Sequence, residues 1–207
     1  MKHLNTLFST LVLLCMSSTV WADLATYLPR GCYHAGQYEQ QKHLAGVAKP
    51  LITQGSFAFN CHQGLIWHTQ SPIIETIVYK TQGDHFILRA DNNAQVLDSR
   101  VHRALGKILN NLIGGNSDYL QQTFTILEQP DGLVLTPKNK QMQKFLHSLN
   151  VTQKKDAIDI TMELAEQEIT EIHIFSRRSF EALDQSQCAE LSGISPAACN
   201  ILFRGIK

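Results

Sequence analysis

The sequence predicts a mainly β, α+β domain: one long curved antiparallel sheet with helices laid against a face of it. Two observations predict this class. Apolar and polar residues alternate with period two through a succession of short runs, each broken by a turn rich in Gly, Pro, Asn or Asp. One stretch, opening at Ser99, changes to apolar spacings of three and four, the signature of an amphipathic helix. Short strands joined by tight turns pair antiparallel, because a parallel pair needs a long crossover between its strands.

The 207 residues are enough for one domain with a sizeable core. Eighteen basic side chains balance eighteen acidic ones, so the chain carries no electrostatic footprint for nucleic acid and no polybasic membrane patch. Residues 1–22 read as a secretory signal peptide. Lys2 and His3 are polar, Leu7 to Met16 is apolar but too short to span a bilayer, and Val20-Trp21-Ala22 places small residues three and one before a cut. Cys15 follows Leu14, where lipoprotein processing needs a small residue. The expected mature chain is a soluble single domain, 23–207.

Gly55 to Tyr79 is the densest strand region. Phe57 and Phe59 alternate with Ser56, Ala58 and Asn60; Leu65 and Trp67 alternate with Ile66 and His68; Ile73 to Tyr79 is rich in β-branched residues. Upstream, Asp23 to Gly31 is a short helical lead-in, and Tyr33 to His43 and Pro50 to Cys61 are two strands joined through Gly46. If that hairpin pairs Lys42 with Leu51, Cys32 falls directly opposite Cys61, within reach of a disulfide.

Export leaves four cysteines, and an even number in an oxidising compartment favours two bonds: Cys32–Cys61 and Cys188–Cys199. The second would staple a C-terminal appendage of about 181–207. Free thiols and a metal site are the rival readings. The nine histidines are scattered, no close pair suits zinc, and no metal is expected. His34, His43, His62, His68 and His85 read as exposed strand positions.

Further strands are expected over His85 to Ala90 and at Val96-Leu97. From Ser99 the helix presents Val101, Leu105, Ile108, Leu109, Leu112 and Ile113, and Gly114-Gly115-Asn116 ends it. It either packs on the sheet as ordinary core or acts as a lid over a concave face. Ser117-Asp118 caps a second short helix. Strands return at Thr123 to Gln129 and Leu133 to Thr136 around Pro130-Asp131-Gly132, then at Ala157 to Glu163 and Glu171 to Phe175. Met142 to Leu149 fits either a helix or an irregular strand, and beyond Ser176 the pattern becomes short and polar. No G-x-S-x-G elbow, H-E-x-x-H pair or phosphate loop is present, so no catalytic residue is assigned and no enzyme is expected.

The order of short motifs is informative. A strand ends in Gln40-Gln41-Lys42, and Gly55-Ser56-Phe57, Leu65-Ile66-Trp67 and Pro72 follow. LIGGNSDYLQQ (Leu112 to Gln122) lies in the helical region, and LVLTPK (Leu133 to Lys138) in a late strand. From about Gly36 to Phe175 this resembles the LolA family of periplasmic outer-membrane lipoprotein carriers. The resemblance implies a half-open antiparallel β-barrel with helices covering its concave face. It also implies an apolar cavity for the acyl chains of a lipoprotein or other lipid cargo, an inner-membrane release complex, an outer-membrane receptor, and neither a cofactor nor covalent chemistry. The chain is expected to be monomeric and periplasmic after cleavage following Ala22.

Phe57, Phe59, Leu65, Trp67 and Ile77, with Leu109, Leu112 and Ile113 from the lid, are the expected cavity lining. A chain of CH₂ groups in such a cavity gains about 0.8 kcal/mol for each one buried. One departure stands out. Family members carry an Arg-Pro pair after the G-x-[FL] strand, and that arginine latches the lid; the matching place here falls near Cys61-His62, with no arginine nearby. Two other readings remain: an envelope adaptor that binds a protein partner through the half-barrel, and a hydrolase of envelope lipid with a Ser or His in the cavity.

Overall fold

The computed structural model describes residues 24–90, 93–154 and 157–205; the expected signal peptide lies outside them. Eleven strands form one antiparallel sheet in the order β6-β5-β4-β3-β2-β1-β11-β10-β9-β8-β7. The first meander is β1 (Tyr33–His43), β2 (Leu51–Asn60), β3 (Gly64–Ser71), β4 (Glu75–Lys80), β5 (Phe86–Arg89) and β6 (Ala94–Val96). The second is β7 (Phe124–Gln129), β8 (Gly132–Pro137), β9 (Leu146–Gln153), β10 (Ile158–Leu164) and β11 (Ile169–Ser179).

The two meanders join where β1 pairs with β11, so the outer edges β6 and β7 are neighbours in sequence and far apart in the sheet. The chain between them is α1 (Arg100–Ile113) and α2 (Ser117–Thr123), which bridge the unclosed side over the inner face. The sheet is curved and does not close.

The β1–β2 register pairs Lys42 with Leu51 and Tyr33 with Asn60. One step beyond, Cys32 and Cys61 are disulfide-bonded, with Cα atoms 5.0 Å apart. Cys188 and Cys199 form the second bond. Cys32, Cys61 and His62 come within ligand distance of one another, but the disulfide removes both thiolates that a metal would need.

Burial follows the sequence parity, and it differs between the two halves. In β10, Ile158, Ile160 and Met162 face the core, whereas Asp159 and Thr161 are half-buried and Glu163 is exposed. In β2 to β4 both faces are buried. Phe57, Phe59, Leu65, Trp67 and Tyr79 belong to the inner core, and Ala58, Ile66 and Val78 to a separate outer cluster. That cluster is covered by α4 (Gln185–Ala189) and α5 (Pro196–Arg204), through Cys188, Ala198, Cys199, Ile201 and Leu202.

The polar-looking tail is therefore a helical second layer. Its helices have five and nine residues, too short for a clear 3.6-residue period. Both are well capped: Asp184 closes a capping box with Gln187, and Ser195 accepts from the Ala198 amide with Pro196 next to it.

Other boundaries differ from the expectation for local reasons. The ambiguous Met142–Leu149 stretch splits into α3 (Lys140–Gln143) and the start of β9, because Asn139 caps the helix by accepting from Gln141 N–H. The cap of α2 is Asn116, one residue earlier than Ser117, and its Oδ1 accepts from Tyr119 N–H at 3.1 Å.

His34 corrects the expectation of an exposed strand histidine: it is completely buried. Its ring stacks on Phe59 with centroids 6.1 Å apart. Nε2 donates to the Gly31 carbonyl at 2.9 Å, and Nδ1 accepts from Ser179 Oγ at 3.1 Å. Of the others, His62 is exposed in a turn, whereas His43, His68 and His85 are half-buried. Burial lowers the pKa of His34 below 6.5; the Gly31 hydrogen bond opposes this and Arg177 adds to it. Burial likewise lowers His68 and His85.

These groups take up protons more readily unfolded than folded. Their effect is absent well above pH 6.5, and stability falls as the pH drops below it. Urea titrations at about pH 7.5 and about pH 5 are expected to show a lower midpoint in acid, and His34→Gln is expected to flatten the difference. An unchanged slope in the variant would assign the effect to other groups.

Candidate functional site

A cavity of about 590 Å³ lies between the inner face of the sheet and one side of α1. It spans the β1–β11 junction, so both meanders contribute: Trp67, Ile77 and Tyr79 from one, Met162, Leu164 and Ile172 from the other. The helix supplies His102, Leu105 and Leu109. At the mouth, Lys42 Nζ lies 2.8 Å from Glu168 Oε1, and Leu51, Ile52 and Ile73 are exposed apolar side chains.

The floor is held by aromatic packing. Trp67 stacks on Tyr38 with centroids 3.8 Å apart, and Phe57 lies 6.1 Å from Trp67. Tyr38 Oη is 2.8 Å from Thr69 Oγ1, which gives its buried hydroxyl a partner. Burial pushes the Tyr38 hydroxyl up to about 12, which keeps a neutral ring stacked against Trp67.

The expected lining residues separate into groups. Trp67, Ile77 and Leu109 are in the cavity wall. Phe59 borders a second cavity, on the other side of α1. Phe57, Leu65, Leu112 and Ile113 line neither of these cavities and are buried in the inner core. All eight share one hydrophobic cluster. Leu105, Tyr79, Met162 and Ile172 were not among the expected lining residues, although Leu105 was read on the apolar face of the helix. Met162 and Ile172 sit on alternating strands that could have signalled them, but only the β1–β11 pairing brings those strands to the cavity.

α1 is seated on the sheet by close contacts with Tyr79 and Phe59. Gly106 lies so close to the Tyr79 ring that a Cβ there would overlap it. One turn on, Asn110 Nδ2 donates to the Tyr79 carbonyl at 3.2 Å. At the helix end, a Cβ on Gly114 would come 2.6 Å from Phe59 Cζ. The absent side chains allow the helix backbone to rest on two aromatic rings.

Gly106→Ala makes this testable by sign. In an exposed helix the change would stabilise by about 0.8–1.0 kcal/mol. Here, overpacking against Tyr79 is expected to destabilise by about 1–2 kcal/mol, read from the urea midpoint. Tyr79→Leu in the same chain is expected to recover part of the loss. A stabilised Gly106→Ala protein would contradict close seating.

The chain is thus an unclosed, curved antiparallel sheet with an apolar cavity under a bridging helix. The family model for the outer membrane lipoprotein carrier protein LolA matches residues 33–187, and the chain belongs to that family. Among solved structures, it is similar to a LolA superfamily protein from Nitrosomonas europaea (10% identity, TM-score 0.47, covering 77% of this chain and 91% of the other). It is also similar to a DUF1329 family protein from Desulfovibrio piger (13% identity, TM-score 0.45, covering 79% and 93%). No curated protein matches the chain.

Proposed function

We propose that the protein is a periplasmic carrier that takes the acyl chains of a lipoprotein, or of related lipidated cargo, into the cavity beneath α1 and shuttles them from the inner to the outer membrane. The observation that carries this reading is the apolar cavity at the open side of the sheet, walled by Trp67, Ile77, Leu105 and Leu109. Its volume is in the range of sites that enclose a small ligand, about 300–1,000 Å³. Family membership supports it, since LolA proteins are periplasmic carriers and not enzymes.

On this reading the signal peptide is removed after Ala22, and residues 23–207 act as one monomeric domain. The exchange partners are an inner-membrane release complex and an outer-membrane receptor. The exposed Leu51, Ile52 and Ile73 beside the mouth give cargo an apolar path in and out. An adaptor would use the same rim to bind a protein, but the apolar cavity behind it favours a carrier.

The test is native mass spectrometry of the mature protein purified from the periplasm, followed by lipid extraction. Co-purifying acylated material is expected. A bare protein that also fails to take up added lipopeptide would overturn the carrier reading.

A further inference from the structure

On the opposite side of α1 from the apolar cavity lies a second one, of about 760 Å³, with a different lining. Its floor includes Phe59, Cys61 and Tyr119, and its walls carry Lys80, Arg103 and Lys107 together with Thr81 and three asparagines. Among the described residues, no aspartate or glutamate lines it.

We propose that this second cavity is a binding site for a phosphate-bearing anion, held by Lys80, Arg103 and Lys107. Neither lysine has a carboxylate partner among the described residues. Lys107 Nζ instead lies 5.4 Å from the centroid of the Tyr119 ring, which leaves its positive charge uncompensated. Arg103 Nη1 bonds Asp98 at 2.9 Å, but Asp98 is almost wholly exposed and stands outside the lining. Concentrating three cations in a concavity floored by apolar groups focuses positive potential there.

Two neutral groups add hydrogen-bonding capacity. His85 Nδ1 accepts the Lys80 amide at 3.2 Å, which leaves Nε2 as the protonated nitrogen of the neutral ring. Burial and Arg103 favour that neutral form, against a smaller opposing effect of Asp84. Asn110, in the same wall, has a buried side-chain oxygen that accepts no hydrogen bond, suited to a ligand hydroxyl. A phosphate monoester bearing hydroxyls, such as a glycerol phosphate, combines both features. It is either the headgroup of a lipid or a free phosphate ester.

The test is calorimetric titration of the mature protein at low salt. Its probes are inorganic phosphate, glycerol 3-phosphate, lysophosphatidic acid below its micelle threshold, and the uncharged monoacylglycerol of equal chain length. The three phosphate-bearing probes are expected to bind, with affinity falling as salt is raised. Lys80→Gln combined with Lys107→Gln is expected to weaken them about tenfold or more, while Lys154→Gln, remote on β9–β10, leaves them unchanged. Equal affinity for glycerol 3-phosphate and lysophosphatidic acid would mark the ligand as a free phosphate ester; a large advantage for the lipid would mark it as a headgroup.

Absence of phosphate-probe binding to the unaltered protein, or binding that survives the double substitution, would overturn the proposal. The monoacylglycerol arm reports on the carrier reading separately. Phosphate binding without monoacylglycerol binding would sink the carrier and leave the anion site standing.

Discussion

Leu105→Asp is expected to weaken binding of a fluorescent acyl probe by about a hundredfold or more. Leu105 lies on the cavity-facing side of α1 and is only partly buried without ligand. The substitution therefore leaves the inner core, built on Ile108, Leu112 and Ile113, intact. A bound acyl chain would cover the new carboxylate and strip it of water. Losing contact with about four methylenes already costs roughly 3 kcal/mol, and desolvating the charged group adds to it.

Val101→Asp is the matched control. It lies on the same helix, is exposed, and is absent from the cavity wall. An acid in the first turn of α1 also suits the helix dipole, so probe binding and stability are expected to hold. Equal affinity of the Leu105→Asp protein for the probe would remove the cavity beneath α1 from the carrier mechanism.

The second large effect concerns the outer layer. Removing the Cys188–Cys199 bond by paired substitution to alanine is expected to cost about 3 kcal/mol, because the bond closes a short loop in the unfolded chain. The two cysteines are eleven residues apart and both fully buried. Their loss also weakens the join between α4 and α5, which together cover Ala58, Ile66 and Val78. Hydrogen exchange is expected to accelerate first in residues 185–204. The amides of α1 on the opposite face are expected to keep their protection. A urea midpoint shifted by less than about 1 kcal/mol would mean that packing alone holds the appendage.

Much of the sheet was legible because its pairings are local. Gly46 and the alternation on either side of it lead to the β1–β2 register, and that register sets Cys32 beside Cys61. Strict alternation in Ala157 to Glu163 and the period change at Ser99 are equally short-range signals, and they match β10 and α1. His34 was misread for a related reason. Its place in a strand was visible, but its partners Gly31 and Ser179 include one 145 residues away.

The sequence by itself determined the antiparallel class, the two inner-facing aromatic strands, the amphipathic helix after Ser99 and the cysteine pairing, since each rests on periodicity or on neighbours along the chain. Only the tertiary structure decided which apolar residues line a cavity and which fill the core. Trp67 and Leu65 share a strand and a face, yet Trp67 borders the cavity and Leu65 is sealed in the core. The difference depends on where α1 crosses, and Gly106 against Tyr79 sets that crossing. The tertiary structure also decided the joining of β1 to β11 and the covering of Ala58, Ile66 and Val78 by α4 and α5. Both are long-range packing choices, made by burying whatever apolar surface the local elements leave exposed, and no stretch of the chain carries them alone.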